Sequence, residues 1–183
     1  QSGYLTIKES DEFGYILGFP NEEVKQALYE TVLPALAMRS ENEIQSLQAG
    51  LYRELGTGQI DEAMNSLKAL IADVPYSNKK LASMDMEERY RLIISTIMNA
   101  IGLSVEVEKM ISTGRIDMTV KTSRYIYVIE LKLRNNGGKE AATEQILNRQ
   151  YMEPFKADKR KVIGLGIELD EEGKGLLDWK RAE

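Results

Sequence analysis

The sequence predicts an α/β protein: a helical N-terminal region followed by an α-β-β-β-α-β run that folds as a mixed sheet faced by helices. Two observations carry this. Between Asn21 and Gly102 the apolar residues recur with helical spacing, whereas from Ser104 onward they fall into short alternating segments. The order of the later segments, one helix, three strands, one helix and a further strand, is that of a sheet with helices packed on its faces.

Each element has its own local reason. GYLTIKESDEFGYILG, residues 3 to 18, reads as two short strands around a polar turn from Glu9 to Glu12, a hairpin too small to be stable alone. NEEVKQALYETVLPALAM reads as a helix, with Asn21 as N-cap and Glu22 and Glu23 in its first turn. A capping box from Ser40 to Glu43 opens a second helix to about Leu55, ended by Gly56-Thr57-Gly58. A third runs from Ile60 to Ala72, with Ile60, Met64, Leu67, Leu70 and Ile71 on one face, and Pro75 stops it. VPYSNKKLAS is the linker candidate, which divides the chain into residues 1–80 and 81–183. DMEERYRLIISTIMNAIG is a fourth helix, capped at Ser83 or Asp85, ended at Gly102 and apolar on most sides. Ser104 to Ile111 is a strand, and GRIDMTVKTSRYIYVIELKLR gives a hairpin of two more. Gly137-Gly138 breaks the chain, KEAATEQILNRQYME is helical, KVIGLGIEL is a strand, and LLDWK is a short edge strand in which Trp179 packs toward the core.

Composition narrows the chemistry. The 183 residues include no cysteine and no histidine. That excludes disulfides, zinc sites built from Cys and His, Ser-His-Asp and Cys-His catalysis, and imidazole as a general base. What remains is carboxylates, lysine, tyrosine, hydroxyls, and water on a hard cation with oxygen ligands. No membrane span and no signal segment are expected, so the expected location is cytoplasmic. The chain opens on Gln1 rather than methionine, and we expect it to be part of a longer protein. A formal charge of −5 argues on its own against a nucleic-acid partner, but the charge is uneven. From Lys132 to Lys161 there are eight basic residues against four acidic ones.

The hairpin holds the candidate site. A turn centred on Ser123-Arg124 sets Asp117 opposite Glu130, at the cross-strand Cβ separation of about 4.5–5.5 Å. Lys132 shares that face and Arg115 is its neighbour across the strands. Ile116, Met118, Val120, Tyr127, Ile129, Leu131 and Leu133 form the other, core face, while Ile126 and Val128 lie on the charged one. Facing carboxylates repel, so something positive belongs there. A divalent cation is one solution; Arg115 and Lys132, closing a salt-bridged face, are the other. Both stay open on the hairpin alone.

Asp117 followed by Glu130-Leu131-Lys132 on the next strand resembles the core of the PD-(D/E)XK nuclease superfamily. The α-β-β-β-α-β order is the order of that restriction-endonuclease-like core. QSGYLTIK, LGFPNEEV, GRIDM, YVIELK, EQILNRQYMEPF and KVIGLGIEL further resemble the C-terminal part of a bacterial family in which an AAA-ATPase-like domain precedes a PD-(D/E)XK nuclease-like domain. The resemblance implies metal-dependent hydrolysis of nucleic-acid phosphodiesters, with an ATPase-like domain upstream and residues 1–80 carrying its hairpin tail. It implies Mg2+ or Mn2+ on Asp117 and Glu130, with the Leu131 carbonyl as a further donor. Lys132 would position water or stabilise charge at phosphorus, Gln145 would orient Lys132 or a phosphate, and Glu88, in preference to Glu87, would be the helix acid. Where the family's name has proline this chain has Ile116. The competing reading of each is structural: dipole-stabilising acids for Glu87 and Glu88, an exposed Gln145, a salt-bridged Lys132, packing for Tyr151 and Phe155, and a solvated turn from Lys156 to Lys161. The alternative function is a catalytically inactive nuclease-fold module that binds nucleic acid or a protein partner.

Overall fold

The structure is a computed structural model that describes residues 4–11, 14–25, 27–28, 41–72 and 84–183. Strands β1 (Thr6–Asp11) and β2 (Gly14–Gly18) form a two-stranded antiparallel hairpin. Asn21 caps the helical backbone that follows, its Oδ1 accepting from the Val24 amide at 2.8 Å. The rest of the helix expected to Met38, the Ser40 capping box and the 74–83 linker fall wholly or largely outside the described residues. Helix α1 (Glu41–Thr57) leads to α2 (Ile60–Ala72), and Gly58 takes the left-handed backbone (φ 79°) that turns one into the other. Helix α3 (Met86–Ala100) is capped by Asp85, whose carboxylate accepts from the Glu87 amide at 3.0 Å, and ends before Gly102 at φ 80°.

Five strands then make the main sheet: β3 (Ser104–Ile111), β4 (Gly114–Lys121), β5 (Tyr125–Leu133), β6 (Lys161–Leu169) and β7 (Leu176–Ala182), in that spatial order. All neighbours are antiparallel except β5 and β6, which run parallel and are joined through α4 (Gly138–Asn148). A parallel pair needs such a crossover. The mixed sheet with helices is the predicted α/β architecture.

The sheet is covered on both faces. Helices α1, α2 and α3 pack Leu51, Leu55, Met64, Leu67, Ile94 and Ile97 against Met118, Tyr127, Ile129, Leu131 and Leu165 in the larger core. On the other face α4 and the segment after it bring Ile146, Tyr151 and Phe155 onto Ile126 and Val128. Gly166 permits the close approach of α4: a Cβ there would lie 2.7 Å from the Lys139 carbonyl oxygen and 2.9 Å from the Thr143 amide nitrogen.

Two local expectations are corrected. Ile116 belongs to the smaller core, not to the face of Met118 and Val120. The β3–β4 register is the same on either side of this point, Val107 with Met118 and Lys109 with Ile116, and only Glu108 between them departs, with φ 51°. The helix expected over 139–153 stops at Asn148. Gln150 turns left-handed (φ 53°), which redirects Tyr151 and Phe155 into the smaller core. Among the described residues no helix is long and apolar enough to cross a membrane.

Candidate active site

The β4–β5 ladder runs from Lys121–Ile126 to Met118–Ile129 and so has the register that sets Asp117 opposite Glu130. Beyond Met118, side chains take over from main-chain pairing. The Asp117 amide donates to Glu130 Oε1 at 3.0 Å, and the Leu131 amide donates to Asp117 Oδ2 at 3.0 Å. Each carboxylate is thus anchored by main chain of the partner strand. Gln145, on α4, donates from Nε2 to the other Glu130 oxygen at 2.7 Å and lies 3.5 Å from the Tyr151 hydroxyl.

Glu130 has no solvent-exposed surface. Burial, followed by the negative charge of Asp117, pushes its carboxyl well above the usual carboxylate range, to about 8. A cleft of about 530 Å³ opens above it, lined by α3 (Glu87, Arg91), β4 (Arg115, Asp117), Lys132 of β5 and the α4 end (Gln145, Arg149). Glu130 lies under this floor rather than in the lining. Lys132 reaches the cleft, and its ammonium forms no hydrogen bond or ion pair among the described residues.

Glu87 and Glu88 separate cleanly. Glu87 lines the cleft, and its Oε1 accepts from the Leu133 amide and from Asn136 Nδ2, both at 3.2 Å, which ties α3 to the end of β5. Glu88, the preferred helix acid on sequence, is exposed and outside the cleft lining. Successive helix residues point about 100° apart, so only one of the two can face the cleft. Tyr151 and Phe155 are buried packing residues, though Tyr151 also touches the cleft wall. Lys156 and Arg160 pair locally with Glu153 and Asp158.

The salt-bridged alternative takes an unexpected form. Arg115 pairs with Glu108 at 3.0 Å rather than with Asp117 or Glu130. It is Arg91 of α3 that meets Asp117, Nη1 to Oδ1 at 3.4 Å, while its Nη2 lies 3.1 Å from Glu108 Oε1. Sequence reasoning passed over Arg91; the available signal was its position four residues after Glu87, on the same helix face.

The donor set fits a hard cation. Asp117 and Glu130 are two convergent carboxylates with a main-chain carbonyl between Glu130 and Lys132, and magnesium takes only one or two protein carboxylates. No group of three or more acidic ligands forms among the described residues. Burial and then the Asp117 charge raise Glu130, and a divalent cation would offset both.

Residues 85–179 match the PD-(D/E)XK nuclease superfamily, slightly more than half of the chain, and the chain belongs to that superfamily. Its members generally use divalent metals. Over 192 residues the chain is 29% identical to an uncharacterized protein in the vnfD 5' region of Azotobacter chroococcum mcd 1. That alignment covers 98% of this chain and 36% of the relative, so the chain spans about a third of the relative's length. No solved structure matches the chain significantly.

Proposed function

We propose that this domain hydrolyses phosphodiester bonds of DNA or RNA with a divalent cation, magnesium or manganese, held by Asp117 and Glu130 and a main-chain carbonyl at Leu131. The carrying observation is the carboxylate pair, anchored by reciprocal main-chain hydrogen bonds beneath a cleft that also receives an unpaired lysine. Bound there, the cation supplies Lewis acidity toward a phosphoryl oxygen and lowers the pKa of water.

The chain's own groups do the rest. Lys132 brings an ammonium to the cleft, where it stabilises the negative charge that grows on phosphoryl oxygens as water attacks phosphorus and the ester oxygen leaves. Gln145 holds Glu130 through Nε2, which fixes the carboxylate's rotation. Glu87 takes the helix-acid role in place of Glu88, and holds the end of β5 so that Lys132 stays in register. Arg115 and Arg149 at the cleft rim supply positive charge for the phosphates on either side of the cut. The upstream ATPase-like domain is part of the same proposal; the greater length of the relative accommodates it.

Arg91 on Asp117 favours a second reading, in which the site is neutralised and the domain binds nucleic acid or a protein without cutting. Cleavage separates the two. Mixed DNA and RNA are incubated with Mg2+ or Mn2+ and with wild type, Asp117→Ala or Lys132→Ala. The nuclease reading expects metal-dependent cutting that falls at least about 100-fold in both variants. Folded wild type that neither cuts nor binds metal supports the second reading.

A further inference from the structure

Arg91 is the group around this site that the nuclease reading does not use. Its guanidinium is divided between two carboxylates, Glu108 Oε1 at 3.1 Å and Asp117 Oδ1 at 3.4 Å, and its side chain is 16% exposed. Arg115 donates to the same Glu108 oxygen at 3.0 Å. The result is a chain of alternating charge, Arg115, Glu108, Arg91, Asp117, that ends on a proposed cation ligand. Glu108 is held in this chain with a left-handed backbone, φ 51°, a conformation unfavourable for a residue with a side chain.

The geometry is asymmetric. The contact with Glu108 is the shorter one, so Glu108 is the better-made partner and Asp117 the looser one. Asp117's other oxygen is committed to the Leu131 amide. The oxygen that Arg91 faces is therefore the one left for an incoming ligand. A cation on that oxygen and the Arg91 guanidinium beside it would repel, and Arg91 has Glu108 to fall back on.

Resting on the nuclease reading, we propose that Arg91 is the resident counter-ion of Asp117, which a divalent cation must displace when it binds. Arg91 is then a positioning residue that keeps the carboxylate in place without metal and sets the cation concentration at which the site fills. Its displacement leaves Glu108 holding it, close to the cleft wall.

The test is Mn2+ affinity in the full chain without nucleic acid, comparing wild type with Arg91→Gln and with Lys174→Gln, whose ammonium pairs with Glu172 outside the cleft lining. Both variants remove one positive charge, but only Arg91 touches Asp117. If Arg91 competes, Arg91→Gln binds Mn2+ roughly fivefold more tightly than wild type, and Lys174→Gln stays within about twofold. Thermal melts give a second readout. Arg91→Gln melts below wild type in chelator, and its rise in Tm on adding Mn2+ is larger than wild type's; a purely structural role would lower both melts alike. A third measurement needs no variant to fold: in wild type, saturation with Mg2+ should speed the exchange of the Arg91 Nη1 protons, which face Asp117, while the Nη2 protons on Glu108 stay slow. Arg91→Gln binding Mn2+ no better than Lys174→Gln, or Arg91 Nη1 protons unmoved by saturating Mg2+, overturns the competition while leaving the nuclease reading intact. Wild type that binds no Mn2+ overturns both.

Discussion

Glu130 concentrates the chemistry of the site in one carboxyl group. Its pKa is raised to about 8 by burial and by Asp117, against about 4.5 for an ordinary glutamate. A carboxyl whose folded pKa lies above its unfolded value binds its proton more tightly in the native state. Its stabilising contribution is complete below the unfolded pKa and is lost as pH rises through the folded one. In chelator, the melting temperature of wild type should therefore fall between about pH 4.5 and pH 8 and level off above, by roughly 5 °C or more in all. Glu130→Gln, which keeps the shape and removes the charge, should flatten the profile over the same range. A parallel fall in both would assign the loss to other groups. Thr119 offers a simpler test two residues from Asp117. Its hydroxyl is fully buried and has no hydrogen-bond partner among the described residues, so the folded state has lost hydration there without replacement. Thr119→Val should stabilise by about 1 kcal/mol, read as an increase in unfolding free energy in urea. At this scale the sequence was informative about residue type and less so about direction. Asp117, Glu130 and Lys132 stood out by the register of the hairpin, and Gln145 only through the resemblance to the nuclease superfamily. Choosing between Glu87 and Glu88 required the helix phase, and the charge chain through Arg91 required the approach of α3 to β3 and β4.

The hairpin β4–β5 is also what closes the end of α1. A helix leaves its last carbonyls without partners, and here three side chains supply them. Tyr127 Oη donates to the Leu55 carbonyl at 2.7 Å, Arg124 donates through Nε and Nη2 to Gly56 at 3.1 and 2.9 Å, and Tyr125 Oη donates to Thr57 at 3.2 Å. Tyr127 is fully buried, so its bond is not exchanged for water when broken. Tyr127→Phe should cost about 1–2 kcal/mol, measured by denaturant unfolding, with no loss of hairpin strand content by circular dichroism. The hairpin's register was legible because its turn and its alternation agree. The end of α4 was not, because helical periodicity continues past Asn148 while the burial of Tyr151 and Phe155 pulls the chain away. The face of Ile116 was lost because alternation alone does not say which cluster a side chain near the end of β4 joins, and Ile116 packs with Ile126 and Val128.

Over the whole molecule, the division of the chain at about residue 80 meets a shared core. Leu51, Leu55, Met64 and Leu67 are fully or almost fully buried in the same cluster as Met118, Tyr127, Ile129 and Leu131. Lys68 also donates to the Leu177 carbonyl at 3.1 Å, and the Trp179 indole donates to Asp61 at 2.9 Å. A linker's composition shows where a chain is uncommitted, but not whether the segments on either side share a core; that depends on contacts far apart in sequence. If α1 and α2 formed a separate unit, a cavity in α2 would weaken that unit alone. If the core is one, it would weaken the strands that carry the site equally. Leu67→Ala should cost about 2–5 kcal/mol by leaving a cavity. Native-state hydrogen exchange reads where the cost falls. The amides of Leu67 to Ile71 in α2 and of Tyr127 to Leu131 in β5 should lose protection by the same free energy, because they are exposed in one cooperative unfolding event. Loss confined to α2, with β5 protection unchanged, would instead make the nuclease-fold part stable without its helical layer.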